Sequence, residues 1–250
     1  MHITEVQHAG FKLCVRVNTP WLDLNVATEV ISNDTYDIGS LRHMLTNPNV
    51  ILDVGGHIGC FGLYAKHFWP DALLIAIEPS RENAYLYEMN MKLNGIRNYH
   101  ILLGGVQYDC KKNCLLYSAN TTGGYLMRSP EEAARYIAEG YRFYDRILED
   151  EVEIYTIGQI CDMFNIEHID LAKWDCEGCE VDAFLSMPDY DAERFRFMVG
   201  EYHIWTENGK YLKPDIVDCI RFWKRVKRKF AHLNFYYKNN ALGQFGAWPK

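Results

Sequence analysis

The stretch that decides the fold is VILDVGGHIGCFGLYAKHF, residues 50–68. It opens with an apolar run that carries one acid, Asp53, continues through Gly55, Gly56 and Gly59, and ends in a helical pattern. A short apolar run that ends in glycines predicts a buried strand, a tight turn and a helix. In such units the glycines let a ligand approach the start of the helix, so the turn predicts a nucleotide-type site.

Four more apolar runs of the same form follow along the chain, at residues 72–79, 99–105, 169–175 and 195–203. Helical patterns separate them, which is typical of parallel strands buried on both faces. The alternation predicts an α/β doubly wound sheet. We expect two parts: a strand-and-helix prelude over residues 1–48, and a main domain over residues 49–250 that ends in a hairpin.

The composition is that of a globular protein: 250 residues, 48% hydrophobic and 24% charged, with a formal net charge of −7. This charge disfavours a dominant surface for nucleic acid or anionic membrane. The basic run RFWKRVKRKF, residues 221–230, has apolar residues at helical spacing and predicts a solvated helix with a buried stripe. No apolar run approaches the ~20 residues of a membrane span, and the first residues lack a signal-peptide pattern. We therefore expect a cytoplasmic protein without a membrane partner.

The chain has eight cysteines. In a cytoplasmic protein they are expected to be reduced thiols. Two spacings, Cys110-x-x-x-Cys114 and Cys176-x-x-Cys179, leave a zinc or redox role open, but no histidine stands nearby at ligand spacing.

The spacing of the glycines narrows the ligand class. A dinucleotide fingerprint that starts at Gly55 would need glycines where His57 and Cys60 stand, and no Gly-Lys-Ser/Thr phosphate loop occurs. Glu78 ends the next strand, where a carboxylate can accept both ribose hydroxyls. A ligand with a ribose, no phosphate and a cationic amino-acid part suits Glu78 and Asp53, and S-adenosylmethionine is such a ligand.

Three segments resemble motifs of the FkbM family of S-adenosylmethionine-dependent methyltransferases: ILDVGGHIGCFGLYAK, IAIEPSRENAYLYEMNMKLNG and YTIGQICDMFNIEHIDLAKWDCEGCEVDAF. The resemblance covers roughly residues 29–205. It implies a class I methyltransferase fold, a Rossmann-like seven-stranded sheet with its last strand antiparallel, and usually methylation of a hydroxyl oxygen. The chain departs from the family at His57, where asparagine is common, and at residues 125–151, which look longer than the family's segment.

The predicted cofactor-binding residues lie at the ends of the first three apolar runs and in the prelude. The resemblance implies Tyr36 as a residue that closes over the cofactor, where its ring would gain cation–π stabilisation from a sulfonium. Small glycines at the end of the third run would allow the adenine to pack. The full set is Tyr36, Asp53, Gly55, Gly56, His57, Gly59, Glu78, Pro79 and Gly105.

Polar side chains at the ends of the fourth and fifth runs are the candidate catalytic residues: Asp175, Glu177, Glu201 and His203. Two arrangements remain open: His203 as a general base oriented by a carboxylate, or a magnesium-type cation held by the carboxylates. We favour the base and leave a metal undecided. Lys173, in the middle of a buried strand, needs an acidic partner, and we expect Glu201 or Glu180.

The segment SPEEAARYIAEGYRFYDRILED, residues 129–150, predicts a helical insertion that begins with Ser129 as its cap. It is rich in aromatic rings. These rings would either pack the helix onto the sheet or cover the methyl acceptor, and as acceptor-binding residues we predict Tyr136, Tyr141 and Tyr144.

The function expected from the sequence is an S-adenosylmethionine-dependent O-methyltransferase that acts on a hydroxyl of a small molecule or a saccharide. One alternative is a cofactor-binding domain without turnover. Another is a nucleic-acid methyltransferase, which the acidic balance and the absence of an N-P-P-Y or D-P-P-Y tetrapeptide disfavour. The sequence leaves the oligomeric state open.

Overall fold

A computed structural model describes residues 1–108, 112–117, 124–127, 131, 134–135, 138, 146–203, 206–207, 210–211, 216–239 and 242–249. Its strands are β1 Ile3–His8, β2 Phe11–Arg16, β3 Val50–Val54, β4 Leu73–Glu78, β5 Tyr99–Leu103, β6 Gly105–Val106, β7 Lys112–Tyr117, β8 Gly124–Met127, β9 Arg146–Tyr155, β10 Ile169–Trp174, β11 Phe195–His203, β12 Thr206–Glu207, β13 Lys210–Tyr211, β14 His232–Asn239 and β15 Leu242–Trp248. Its α-helices are α1 Pro20–Ala27, α2 Ile38–Leu41, α3 Cys60–Phe68, α4 Arg81–Leu93, α5 Ile157–Phe164, α6 Cys179–Ser186, α7 Asp189–Ala192 and α8 Ile216–Lys229, and a π-helical turn spans Thr28–Ser32.

The centre of the fold is a seven-stranded sheet in the order β14-β15-β11-β10-β3-β4-β5. Strands β5, β4, β3, β10 and β11 pair in parallel, whereas β15 is antiparallel to both of its neighbours, β11 and β14. The predicted doubly wound sheet with an antiparallel last strand is therefore confirmed. Because β3 and β10 are adjacent and parallel, their carboxyl ends lie side by side at one edge of the sheet. The cofactor-binding and catalytic candidates that follow these strands are therefore close together.

Each face of the sheet is covered by its own apolar core. One core packs residues of α5, α6 and α8 against the sheet, and the other packs α3, α4 and the prelude against the opposite face. All five residues of β3 are buried, as a strand covered on both faces requires. The sheet edge is thus the part of these strands that can present polar groups to a ligand.

The structure confirms the helix ends that the sequence predicts for α4. Ser80 caps α4 by accepting a hydrogen bond from the Asn83 N–H, and the helix stops at Asn94, before Gly95 with φ +67°. The basic run lies in α8 and the residue that follows it, with Phe222 and Val226 buried as predicted. The prelude contains the β1–β2 hairpin and the closing hairpin pairs β14 with β15.

The segment predicted as a helical insertion differs at both flanks. Residues Gly124–Met127 and Arg146–Tyr155 are strands in a four-stranded sheet of order β6-β9-β7-β8. Val152 and Ile154 are buried while Glu151 and Glu153 are exposed or nearly so, an alternation typical of a strand. Between the flanks, the described residues 131, 134–135 and 138 are helical and exposed.

The three predicted acceptor-binding tyrosines, Tyr136, Tyr141 and Tyr144, lie outside the described residues. Their role stays a prediction. Across the ranges that the structure describes, the helices are all too short or too polar to cross a membrane.

Candidate active site

The glycine turn connects β3 to α3, and its backbone has positive φ at Gly55, His57 and Gly59. Gly55 has φ +80° and Gly59 has φ +90°. A Cβ added to Gly55 would lie 1.9 Å from the carbonyl oxygen of Asp175, so the turn is in direct backbone contact with the loop that follows β10. Glycine at position 55 is therefore what allows the cofactor turn to sit beside the candidate catalytic loop.

Glu78, the last residue of β4, is held by backbone and side-chain donors. Its carboxylate accepts the N–H of His57 at 2.7 Å, the N–H of Ser80 at 2.9 Å and the Asn83 amide at 3.2 Å. Burial raises the pKa of Glu78 to about 7, although these donors oppose the shift. Two carboxylate oxygens offer about four acceptor positions, so capacity remains for a ribose hydroxyl.

The His57 ring lies in the glycine turn itself. Burial, together with the charges of Arg16 and Lys173, lowers the pKa of His57 to about 3, so the ring is neutral. Its Nδ1 is buried and has no hydrogen-bond partner within the described part of the chain. A buried unpartnered nitrogen is costly unless a ligand satisfies it, so the turn fits a ligand with a polar group at this point.

Asp53 and Lys173 form a buried ion pair, with the Lys173 Nζ 3.3 Å from the carboxylate of Asp53. The expected partners of Lys173, Glu201 or Glu180, were wrong. Lys173 is the direct register neighbour of Asp53 on the adjacent strand, and laterally paired residues project from the same face. Although burial lowers the pKa of Lys173, Asp53 and Asp175 together raise it above its usual value.

Lys173 also joins the two halves of the site. Its Nζ donates to the carbonyl of Gly55 at 2.5 Å and lies 4.0 Å from Asp175. Tyr36 completes this bridge, because its hydroxyl donates to the Asp175 carboxylate at 2.6 Å and its ring lies 5.8 Å from the Lys173 Nζ. The structure thus places Tyr36 between the cofactor turn and the catalytic candidates.

The remaining cofactor candidates lie on either side of Glu78. Pro79 is half-buried between Glu78 and the cap of α4. Gly105 is buried in β6, directly after the end of β5. The N–H of Gly104 donates to the Glu78 carbonyl at 3.1 Å, which keeps the ends of β4 and β5 together.

Three of the four predicted catalytic residues converge on the imidazole of the fourth, His203. The Nε2 of His203 lies 3.8 Å from Asp175, 3.7 Å from Glu177 and 3.8 Å from Glu201. Glu177 has φ +59°, a strained conformation for a residue with a side chain that is common at functional sites. We call Asp175, Glu177, Glu201 and His203 the acidic cluster.

A fifth residue, Glu180, was not predicted at this position. It is 1% exposed, and its carboxylate accepts the backbone N–H of His203 at 2.8 Å and lies 3.1 Å from the His203 Nδ1. Burial lowers the pKa of His203, but Glu177, Glu180 and Asp175 outweigh it and raise the value to about 10. His203 is therefore an imidazolium at neutral pH. An acid in the first turn of a helix that follows a candidate catalytic loop is the signal that could have identified Glu180.

The acidic cluster can hold positive charge in two forms. One is the proton on His203. The other is a divalent cation, because ligand atoms of Asp175, Glu201 and His203 all lie within 4.8 Å of one another. Both chemistries lower the cost of removing a proton from a nearby hydroxyl.

The expectation of reduced thiols was wrong for one pair: a disulfide joins Cys176 to Cys179. It closes the loop between Asp175 and α6. Cys110 and the side chain of Cys114 lie outside the described residues, so the zinc alternative for that spacing has no structural answer.

The chain matches the family model of the methyltransferase FkbM domain over residues 53–235. It is 27% identical over 206 residues to methyltransferase sdnD of Sordaria araneosa, covering 75% of this chain and 76% of that protein. It is 20% identical over 167 residues to methyltransferase 1 of Beauveria bassiana, covering 64% of this chain and 66% of that protein.

Among solved structures, the chain is similar to the S-adenosylmethionine-dependent methyltransferase of Agrobacterium tumefaciens, with a TM-score of 0.49 and 9% identity, covering 100% of this chain and 70% of that one. It is also similar to M. jannaschii TYW2 in complex with AdoMet, with a TM-score of 0.47 and 12% identity, covering 98% of this chain and 84% of that one.

The sheet order, the glycine turn and the acid that ends β4 define an S-adenosylmethionine-dependent methyltransferase of class I. Within this class the chain belongs to the FkbM methyltransferase family. Its cofactor is S-adenosyl-L-methionine, and Glu78 and the unpartnered nitrogen of His57 are polar groups that fit such a ligand.

Proposed function

We propose that the protein transfers a methyl group from S-adenosylmethionine to a hydroxyl oxygen of a small molecule or a saccharide. The observation that carries this proposal is the convergence of three carboxylates on His203, beside the cofactor turn. Transfer to a hydroxyl oxygen requires that its proton be removed, and groups that hold protons are concentrated at this point.

The contacts around Lys173 support the position of the acceptor. S-adenosylmethionine supplies, when bound, an electrophilic methyl group on a sulfonium. Glu78 and His57 would orient the cofactor, while Lys173 keeps Asp175 close to the turn. An acceptor hydroxyl held between the turn and the acidic cluster would be aligned for in-line displacement, and such alignment lowers the barrier substantially.

The charge state of the acidic cluster changes which group would take the proton. The sequence favours His203 as a general base oriented by a carboxylate, but with a pKa of about 10 it is already protonated at neutral pH and cannot accept a further proton. We therefore propose Glu177 as the first proton acceptor, because burial raises its pKa above the ordinary glutamate value. The His203 imidazolium would offset the charge of the remaining carboxylates, and Tyr36 would hold Asp175 in place.

The surplus of acids also supports the class of acceptor. A phosphate group brought to this edge of the sheet would be repelled by Asp175, Glu177 and Glu201. Neutral hydroxyl compounds meet no such repulsion. This favours a small molecule or a saccharide over a nucleic acid, whose backbone carries a charge at every phosphate.

The test is to incubate the protein with methyl-labelled S-adenosylmethionine and a panel of sugars and hydroxylated small molecules. We expect a labelled methyl ether, identified by mass spectrometry and NMR, and its loss in the Glu177→Gln variant. A labelled N-methyl or C-methyl product would contradict the proposal. Tight cofactor binding without turnover on any acceptor would favour the alternative of a binding domain.

A further inference from the structure

The disulfide between Cys176 and Cys179 closes the loop between Asp175 and α6, which carries Glu177. The two residues between the cysteines, Glu177 and Gly178, have φ +59° and φ +104°. Glycine adopts a positive φ readily, but for a glutamate this conformation is unfavourable unless the surroundings enforce it. A covalent link across them is one such constraint, so the position of the Glu177 carboxylate depends on the loop that the disulfide closes.

The same loop touches the cofactor turn. A Cβ on Gly55 would lie 3.2 Å from the Cα of Cys176 as well as 1.9 Å from the carbonyl oxygen of Asp175. The backbone at 175–176 therefore packs against Gly55 without an intervening side chain. Any rearrangement of the loop would therefore change the backbone contacts of the cofactor turn.

On its other side the loop is tied to His203 through Glu180. The N–H of Gly178 donates to both oxygens of the Glu180 carboxylate, at 3.1 and 3.0 Å, and the same carboxylate accepts the N–H of His203. Glu177 and Glu180 are two of the acids that keep His203 protonated. The loop thus positions charges on both sides of the imidazole.

The pair is also placed where a reagent can reach it. Cys176 is half-buried, whereas Cys14, Cys60 and Cys161 are at most 2% exposed. Burial raises the pKa of each of those three thiols, which keeps them in the unreactive thiol form. Because thiol–disulfide exchange requires a disulfide, an external thiol would react with the Cys176–Cys179 pair and not with these three free thiols.

From this geometry we infer that Cys176 and Cys179 form a reversible thiol–disulfide exchange site whose reagent is a low-molecular-weight thiol or dithiol, and that the disulfide form is the active one. The inference rests on the proposed function where it concerns activity. In the exchange, the thiolate of a dithiol attacks the Cys176 sulfur and Cys179 leaves as a thiolate. The second thiol of the reagent then displaces Cys176. The reagent loses two electrons and becomes a disulfide, and each cysteine sulfur gains one electron and one proton.

The first measurement is chemical. The protein is purified without reductant, exposed to graded dithiothreitol, alkylated with iodoacetamide in the native state and analysed by peptide mass spectrometry. We expect Cys176 and Cys179 to be labelled only after reduction, and Cys14, Cys60 and Cys161 to stay unlabelled throughout. Labelling of the pair without reductant, or labelling of the three buried thiols at the same rate, would overturn the inference.

The second measurement concerns the loop. Hydrogen exchange of peptides that contain Gly178 and His203 should be at least about fivefold faster in the reduced protein, because loop closure no longer restrains the chain. The Cys176→Ala variant should exchange at the fast rate with or without dithiothreitol. The matched Cys161→Ala variant, whose cysteine is buried in α5, should still respond to dithiothreitol as the wild type does. Equal exchange in both redox forms of the wild type contradicts the inference.

The third measurement is methyl transfer, which we expect to fall about tenfold or more on reduction and to recover on reoxidation. A rate that is unchanged by reduction overturns the active-form assignment. If no acceptor is methylated in either redox form, the proposed function fails, while labelling and hydrogen exchange still decide whether the exchange site exists.

Discussion

The site has two halves, one at the carboxyl ends of β3 and β4 and one at the carboxyl ends of β10 and β11. Both halves bury acids, but the negative charge is offset in different ways. At the end of β4, Glu78 has three nitrogen donors, and at the end of β3, Asp53 has the ammonium of Lys173 and the hydroxyl of Tyr87. Each of these two acids has charged or polar partners within the protein itself. The half of the site at the ends of β3 and β4 is therefore organised before any ligand binds, which lowers the cost of binding.

The half of the site at the ends of β10 and β11 instead gathers several acids around one imidazole. Three carboxylates surround the Nε2 of His203 and a fourth, Glu180, lies at its Nδ1. These acids raise the pKa of His203 to about 10. A concentration of carboxylates of this kind suits proton acceptance or cation binding. The difference supports our proposal that cofactor binding and chemistry are divided between the two halves of the site.

The largest expected effect is that of His203→Ala on turnover. Removing the cation leaves the carboxylates to repel one another and disturbs Glu177, the proposed proton acceptor, so we expect a loss of about 10²–10⁴-fold in rate, the range for general acid–base catalysis. The affinity for S-adenosylhomocysteine, measured by calorimetry, should stay near that of the wild type, because the half of the site at the ends of β3 and β4 is intact. If a chelator abolishes turnover while His203→Ala retains it, the cation arrangement is correct and proton transfer through the cluster is not.

Lys173→Met removes the side chain that joins the two halves of the site. It should lower the free energy of unfolding by about 3–5 kcal/mol, because it leaves Asp53 buried without its partner charge. Lys66→Met is the matched control. Lys66 is also buried, but its ammonium donates to the carbonyls of Pro70 and Ala72.

We expect the Lys66 variant to lose less stability, about 1–3 kcal/mol, as for an unsatisfied buried carbonyl. Adding Asp53→Asn to Lys173→Met should restore part of the loss. Denaturant titration of the four proteins measures these values. Equal costs for the two lysines would show that the charge of Asp53 is not what Lys173 balances.

Glu78→Ala should weaken cofactor binding by about 1.5–3 kcal/mol, the range for hydrogen bonds to a charged group. Glu82, an exposed acid in the first turn of α4, provides the control through Glu82→Ala, which should bind normally. Calorimetry with S-adenosylhomocysteine measures both. Unchanged affinity in a folded Glu78→Ala protein would remove Glu78 from the cofactor site.

The smallest expected effect is a pH dependence of cofactor affinity. Hydroxyl donors of the ribose favour the ionised form of Glu78, whose pKa in the unliganded protein is about 7. Affinity should therefore rise as the pH increases from 6 to 8, by up to about tenfold for one ionising group. The Glu78→Gln variant should show a flat profile over the same range. A wild-type affinity that falls with pH would mean that the protonated carboxyl is the binding form.

Much of the fold follows from patterns in short stretches of sequence. The apolar runs placed β3, β4, β5, β10 and β11, and Ser80 and Gly95 predicted the ends of α4. Residues 146–150 were expected to continue a helix and lie in a strand instead. Their conformation is set by pairing with β7, more than 25 residues away in sequence, which no local propensity reports.

The candidate site divides in the same way. The glycines of the turn and the acid at the end of β4 were recognisable because the chemistry of a nucleotide site requires those residue types at those positions. The interaction of Glu180 with His203 was not, because α6 and the end of β11 come together only through packing. Their residue types alone are compatible with several partners.

The sequence by itself determined the class of protein: buried parallel strands, a glycine turn that needs positive φ, and acids at strand ends. These depend on each residue and its near neighbours. Only the tertiary structure decided the charge partners: Lys173 with Asp53, and His203 with Asp175, Glu177, Glu180 and Glu201. The physical reason is that partners are set by strand order and register across the sheet, and electrostatic energies depend on those distances and on burial, neither of which is local in sequence.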